Sequence, residues 1–136
     1  GDILQYLDSN PNLSMRFQNE TYFLNILNKV LENIATKKEI AIYLFSQGKE
    51  EEFSSFSTYK NINICLHMNE FDSFLHMAYA DLLITSKSSF SYKPALLNRG
   101  IKISPENFWH GYPQSNKWIL ADENGYFNVS LLQKTI

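Results

Sequence analysis

Four serines and a lysine lie within six residues, Ser86 to Ser91, directly after the apolar run Leu82 to Ile84. The next segment, Tyr92 to Arg99, is rich in apolar residues and stops at Gly100. This succession predicts a strand, a polar turn and the start of a helix. Hydroxyls and the unpaired N–H groups of a helix start bind phosphate, and ligands of open α/β sheets bind beyond the carboxyl ends of strands. We therefore predict an anion site formed by Ser86, Lys87, Ser88, Ser89 and Ser91.

The exact start of the helix depends on Pro94. With Ser91 as the N-cap, Pro94 falls in the first turn, where its missing N–H has no intrahelical partner to lose. The plainer interpretation is that these serines only cap the helix and end the strand. The residues of the turn alone leave both interpretations open.

The elements that would hold this turn follow from the apolar pattern. A continuous apolar run without a polar face predicts a strand near 40–46. Shorter segments, apolar or apolar on one face, predict strands near 62–67, 82–85 and 101–103, and together the four form one mainly parallel sheet. A single apolar stripe from Tyr22 to Ile34 predicts a helix over 22–35. The order predicts an α/β fold, a Rossmann-like three-layer α/β/α arrangement. Toward the end of the chain, segments 118–122 and 126–129 flank Glu123-Asn124-Gly125 and predict a hairpin, with a short terminal helix from Leu131.

Other polar residues follow predicted strands. Ser46, Gln47 and Gly48 form a polar turn after the strand near 40–46, and His67 ends the strand near 62–67. The position of His67 leaves a structural and a ligand-binding role open. We interpret Cys65 and His76 as structural residues, because each lies within an apolar pattern.

Composition excludes several classes of function. The 136 residues suit one domain, 1–136, and a net charge of −2 gives no reason to expect binding to nucleic acid. No apolar run is long enough for a membrane segment, and one cysteine fits a reducing, cytoplasmic setting. The three histidines and the cysteine lack zinc-ligand spacing, and the five glycines form no dinucleotide-binding motif. We therefore expect neither a metal nor a cofactor.

Three short motifs occur in a distinctive order: Phe45-Ser46-Gln47-Gly48, then Ser88 to Ser91, then Phe108-Trp109-His110. From about Tyr22 to Asp122, the chain resembles the C-terminal, nucleotide-sugar-binding half of GT-B glycosyltransferases, in the branch related to fucosyltransferases with an H-x-R-R motif. That motif and the acceptor-binding half are not in this chain. Only Gly1-Asp2 matches the Gly-Asp that often follows the motif, so we expect a piece of a larger, two-domain transferase that is inactive in isolation.

The resemblance implies sugar transfer from a nucleoside-diphosphate sugar, with GDP-fucose as one candidate, to an acceptor hydroxyl on a glycan or other molecule. It implies that the turn from Ser86 to Ser91, the serine turn, binds the donor diphosphate without a metal. It also implies that Ser46, Gln47, Gly48 and His67 bind the nucleoside. Asp2 is the only candidate for a catalytic base. Two alternatives stay open. One is a non-catalytic α/β module whose aromatic loop, Phe108 to Tyr112, contacts a protein or glycan. The other is a related pyruvyl-transferase-type or epimerase-type enzyme.

Overall fold

The computed structural model describes residues 12–16, 20–34, 39–46, 49–108 and 110–135. Within these ranges six strands form one sheet, in which every neighbouring pair is parallel. The strands are β1 (Asn12–Arg16), β2 (Ala41–Ser46), β3 (Ile62–Leu66), β4 (Leu82–Ile84), β5 (Ile101–Pro105) and β6 (Trp118–Ala121).

The strand order is β3-β2-β1-β4-β5-β6. The chain winds outward from β1 to β3, crosses back to β4 and then winds outward in the other direction. The winding therefore reverses between β1 and β4, where Met15 pairs with Ile84. This strand order is that of doubly wound nucleotide-binding folds, in which ligands bind at the point of reversal.

Helices cover both faces of the sheet. Helix α1 (Glu20–Asn33), a 3-10 helix (Glu50–Phe56) and α4 (Val129–Thr135) pack on one face, while α2 (Glu70–Tyr79) and α3 (Ser89–Leu97) pack on the other. Residues of β2 alternate between the two cores. Ile42 and Leu44 join the α1 side, and Tyr43 and Phe45 join the α2 side. Because β2 is buried on both faces, its sequence is a continuous apolar run.

The predicted Rossmann-like three-layer fold is confirmed. The four predicted strands lie within a residue or two of β2, β3, β4 and β5, and all are parallel. The helix predicted over 22–35 is α1, shifted toward its N-terminus. Asn69 caps α2 by accepting a 2.8 Å hydrogen bond from the backbone N–H of Asp72. No helix of the described residues is long and apolar enough to cross a membrane.

One strand was not predicted, and one prediction about the strands is wrong. The strand that was not predicted is β1, which the apolar pattern did not indicate, because Asn-Leu-Ser-Met-Arg has no β-branched or aromatic residue. The predicted hairpin is absent. Residues 122–125 do form a turn, in which Gly125 N–H donates to the Asp122 carbonyl at 3.0 Å, but β6 pairs in parallel with β5 and the chain continues into α4.

Candidate functional site

The candidate site lies at the carboxyl edge of the sheet. Because all six strands are parallel, their carboxyl ends share this edge. The serine turn follows β4 directly and leads into α3, so it lies at the point where the winding reverses. The N-terminus of α3 therefore begins at the same edge, with the positive end of its dipole there.

The hydrogen bonds of the turn assign different roles to its serines. The N-cap of α3 is Ser88, whose hydroxyl accepts from the Phe90 N–H at 3.2 Å. The prediction that Ser91 caps the helix is therefore wrong, and Pro94 lies inside α3 rather than in its first turn. Ser91 is fully buried, and its hydroxyl lies 3.3 Å from the Ser86 carbonyl and 3.2 Å from the Ser88 carbonyl. Its hydroxyl closes the turn.

Ser86 differs from Ser91 in its hydrogen bonding. Its side chain is buried, with 5% relative exposure, and no described residue forms a hydrogen bond with its hydroxyl. An unsatisfied buried hydroxyl costs free energy, so a group that bonds to it would recover that energy. The backbone N–H groups of Lys87 and Ser89 also form no hydrogen bond with another described residue. Lys87 and Ser89 are exposed, and Lys87 is in neither of the ion pairs found among the described residues.

Thr85 joins the start of the turn to helix α1 and to strand β5. Its carbonyl accepts a 2.8 Å hydrogen bond from the phenol of Tyr22 on α1. Its hydroxyl donates to the Ser104 hydroxyl at 2.6 Å, and Ser104 also accepts from the indole N–H of Trp118 at 3.1 Å. All of Thr85, Tyr22 and Ser104 are buried. The start of the turn is therefore held rigidly.

Two of the four predicted nucleoside-binding residues are adjacent at the same edge. The His67 N–H donates to the Ser46 carbonyl at 3.3 Å. Ser46 ends β2, two strands from β4, which corresponds to roughly 10 Å at the usual strand spacing. His67 is exposed and has a φ of 62°, a left-handed conformation that is uncommon for a residue with a side chain. Gln47 and Gly48 lie outside the described residues.

The sheet also brings Arg16 to this edge. Arg16 is the last residue of β1 and pairs with Phe45 of β2. The residue before it, Met15, pairs with Ile84 of β4. Sequence reasoning missed this position because it did not identify β1. Asp2, the candidate base, lies outside the described residues. Within the described residues, no three His, Cys, Asp or Glu side chains form a group that could hold a metal ion.

An aromatic cluster lies beside the serine turn, beyond β5 and β6. Tyr92, on α3, stacks on His110 with ring centroids 5.2 Å apart, and its phenol donates to the Gly111 carbonyl at 2.9 Å. Phe108, Tyr112 and Trp118 continue the cluster, with 5.4 Å between the rings of Tyr112 and Trp118. Trp109 lies outside the described residues. The aromatic loop therefore packs on α3 and β6 rather than projecting alone.

Three other side chains, His76, Cys65 and Lys102, are buried or partly buried away from the serine turn. His76 is buried against the rings of Tyr43 and Phe45, at 4.8 and 5.4 Å, and burial lowers its pKa while Asp72 opposes the change. Burial raises the pKa of the Cys65 thiol to about 11, which keeps it protonated and unreactive at neutral pH. The Lys102 ammonium donates to the carbonyls of Asn98 and Gly100 at 2.8 and 2.7 Å and is buried.

No protein-family model, no curated protein and no solved structure matches this chain.

Proposed function

We propose that this domain binds the nucleoside diphosphate of a nucleotide sugar at the serine turn and serves as the donor-binding part of a glycosyltransferase. The observation that carries the proposal is the unsatisfied hydroxyl of Ser86 in a helix-start turn at the reversal point of the sheet. Phosphate oxygens accept hydrogen bonds from hydroxyl and N–H donors of this kind. Ser86 and the N–H groups of Lys87 and Ser89 are such donors.

The direction of the ligand follows from the two sides of the turn. Ser46 and His67 lie toward β3, and the aromatic cluster lies toward β5 and β6. A diphosphate at the turn would therefore extend its nucleoside toward Ser46 and His67. The leaving diphosphate gains negative charge as the glycosidic bond breaks, and preorganised donors with the helix dipole stabilise that charge. The assignment of the transferred group as a sugar depends on the resemblance to fucosyltransferase-related enzymes.

Titration of the isotope-labelled chain with GDP, UDP, ADP and inorganic phosphate tests the proposal. We expect amide shifts centred on residues 86–93 and extending to Ser46 and His67 for at least one nucleotide, and shifts restricted to the turn for phosphate. Shifts confined to the loop 108–112, or none at millimolar ligand, would contradict it. Hydrolysis or transfer of a labelled sugar from the donor tests the assignment as a transferase.

A further inference from the structure

A cavity distinct from the serine turn lies beside β6. It has a volume of about 420 Å³, within the usual range of small-molecule sites. Its described lining combines the aromatic side chains of Phe108, Tyr112 and Trp118 with the polar side chains of Asn107 and Gln114. None of the described lining residues carries a charge. Such a lining favours a neutral ligand with both apolar faces and hydrogen-bonding groups.

The polar atoms of two of these rings form hydrogen bonds within the protein. The Tyr112 phenol donates to the Pro105 carbonyl at 2.7 Å, and the Trp118 indole N–H donates to Ser104 at 3.1 Å. These bonds fix the orientation of each ring, and what the rings can offer to a ligand is their apolar surface. Asn107, Gln114 and Ser115 are exposed beside them and carry donors and acceptors.

The arrangement of the rings distinguishes between ligands. Tyr112 and Trp118 are 5.4 Å apart and tilted by 37°. Two rings this close leave no slot in which a planar nucleobase could be sandwiched. The uncharged lining, with aromatic surface beside the amides of Asn107 and Gln114, suits a sugar, whose C–H groups pack on aromatic side chains while its hydroxyls bond to amides.

We infer that this cavity, the ring-face pocket of Phe108, Tyr112 and Trp118, binds a neutral saccharide. The inference does not depend on nucleotide binding at the serine turn. The two sites are nevertheless joined, because Ser104 accepts hydrogen bonds from both Trp118 and Thr85. If both sites are occupied together, the saccharide lies on the side of the turn opposite Ser46 and His67.

The test uses the full chain without nucleotide and a panel of glucose, galactose, N-acetylglucosamine and lactose. Saturation-transfer NMR detects binding, and the indole N–H signal of Trp118, assigned with a Trp109→Phe variant, locates it. We expect millimolar dissociation constants, a shift of the Trp118 signal, and at least a tenfold weaker affinity for Tyr112→Ala. Tyr112→Phe keeps the ring and is expected to bind within about twofold of the wild-type value, since that factor is only a few tenths of a kcal/mol.

Tyr79→Ala is the matched control, because Tyr79 is an exposed aromatic residue on α2, away from the pocket. It should leave saccharide binding unchanged. Gln114→Ala, at an exposed position, is expected to weaken binding and covers the case in which Tyr112→Ala does not fold. Absence of binding across the panel, binding of free nucleosides at Trp118 instead, or equal losses in Tyr112→Ala and Tyr79→Ala would each overturn the inference. A GDP titration of Tyr112→Ala separates the two sites, since nucleotide affinity should not change.

Discussion

The phenol of Tyr22 reaches across the sheet edge to the carbonyl of Thr85, 63 residues later in the chain, with a 2.8 Å hydrogen bond. Both residues are buried, and burial raises the pKa of Tyr22 well above its usual value, with Tyr112 adding to the increase. The phenol is therefore neutral and remains a donor at physiological pH. Helix α1 is in this way linked directly to the start of the serine turn.

Tyr22→Phe should lower the free energy of unfolding by about 1–3 kcal/mol, because it leaves the buried Thr85 carbonyl without this donor. Urea denaturation followed by circular dichroism measures the change. Tyr126→Phe is the control, because Tyr126 is exposed and the described hydrogen bonds of this residue use its backbone. A cost no larger than that of the control would contradict a role for the Tyr22 phenol.

Ser86→Ala and Ser91→Ala should differ in their effect on the free energy of unfolding. Removal of the unsatisfied Ser86 hydroxyl should leave stability unchanged or raise it by up to about 1 kcal/mol. It should also weaken nucleotide binding roughly tenfold, or about 1.4 kcal/mol, if that hydroxyl bonds to phosphate. Ser91→Ala should instead cost about 1–3 kcal/mol of stability, because two carbonyls and the Ser86 N–H lose their contact with the Ser91 hydroxyl.

Calorimetric titration with the best nucleotide, together with urea denaturation, separates these effects. Destabilisation by Ser86→Ala would indicate a hydrogen bond of Ser86 within the protein. Unchanged affinity in a stable Ser86→Ala variant would remove Ser86 from the proposed phosphate site.

His76 should make stability depend on pH. Its folded-state pKa lies below the ordinary histidine value of about 6.5, mainly because of burial. The unfolded chain therefore binds the proton more tightly, so stability is fully present above about pH 6.5 and falls as the pH drops toward the folded pKa. His76→Phe, which can still pack against Tyr43 and Phe45, should flatten the dependence between pH 8 and pH 5. If the free energy of unfolding, measured by urea denaturation at each pH, keeps the same dependence on pH in this variant, other groups dominate that dependence.

Gly125 and Gly111 should tolerate alanine to different degrees. Both have a positive φ, 87° and 69°. A Cβ at Gly125 would lie 2.4 Å from the carbonyl oxygen of Tyr22, whereas a Cβ at Gly111 meets no described atom within 4 Å. Gly111→Ala should therefore cost only the left-handed strain, about 1–2 kcal/mol.

Gly125→Ala should cost clearly more, because the backbone of Tyr22 has to move. Thermal and urea denaturation of the two variants under identical conditions provide the comparison. Equal costs would show that the turn at Gly125 relaxes away from α1 without penalty.

Much of this fold could be predicted from local patterns, because β2 and β4 are buried and largely apolar, β3 and β5 alternate apolar and polar residues, and α1 has one apolar stripe. β1 could not be predicted in this way, since its central position is set by pairing with β2 and β4 and not by its own composition. The residues after β6 have the turn chemistry of a hairpin. Whether β6 pairs with the segment that follows it or with β5 depends on contacts with a strand that is more distant in sequence.

The candidate site was predicted only in outline. The serine turn was identified by its clustered hydroxyls. Which serine caps the helix, which one closes the turn and which one has an unsatisfied hydroxyl depends on three-dimensional contacts within a run of similar residues. The ring-face pocket was visible only as a loop rich in aromatic residues, because its volume and lack of charge arise from residues of both β6 and the loop.

The reactivity of the Lys102 amine can be used to measure local opening of β5. Its ammonium is shielded from solvent, bonds to two backbone carbonyls and lies 5.2 Å from the centroid of the Trp118 ring, and burial lowers its pKa. Amine-reactive reagents modify the exposed Lys87 and Lys93 directly, but they can reach Lys102 only when β5 opens locally. The acylation rate of Lys102, read by mass spectrometry against those two lysines, thus measures how often the strand beneath the ring-face pocket opens.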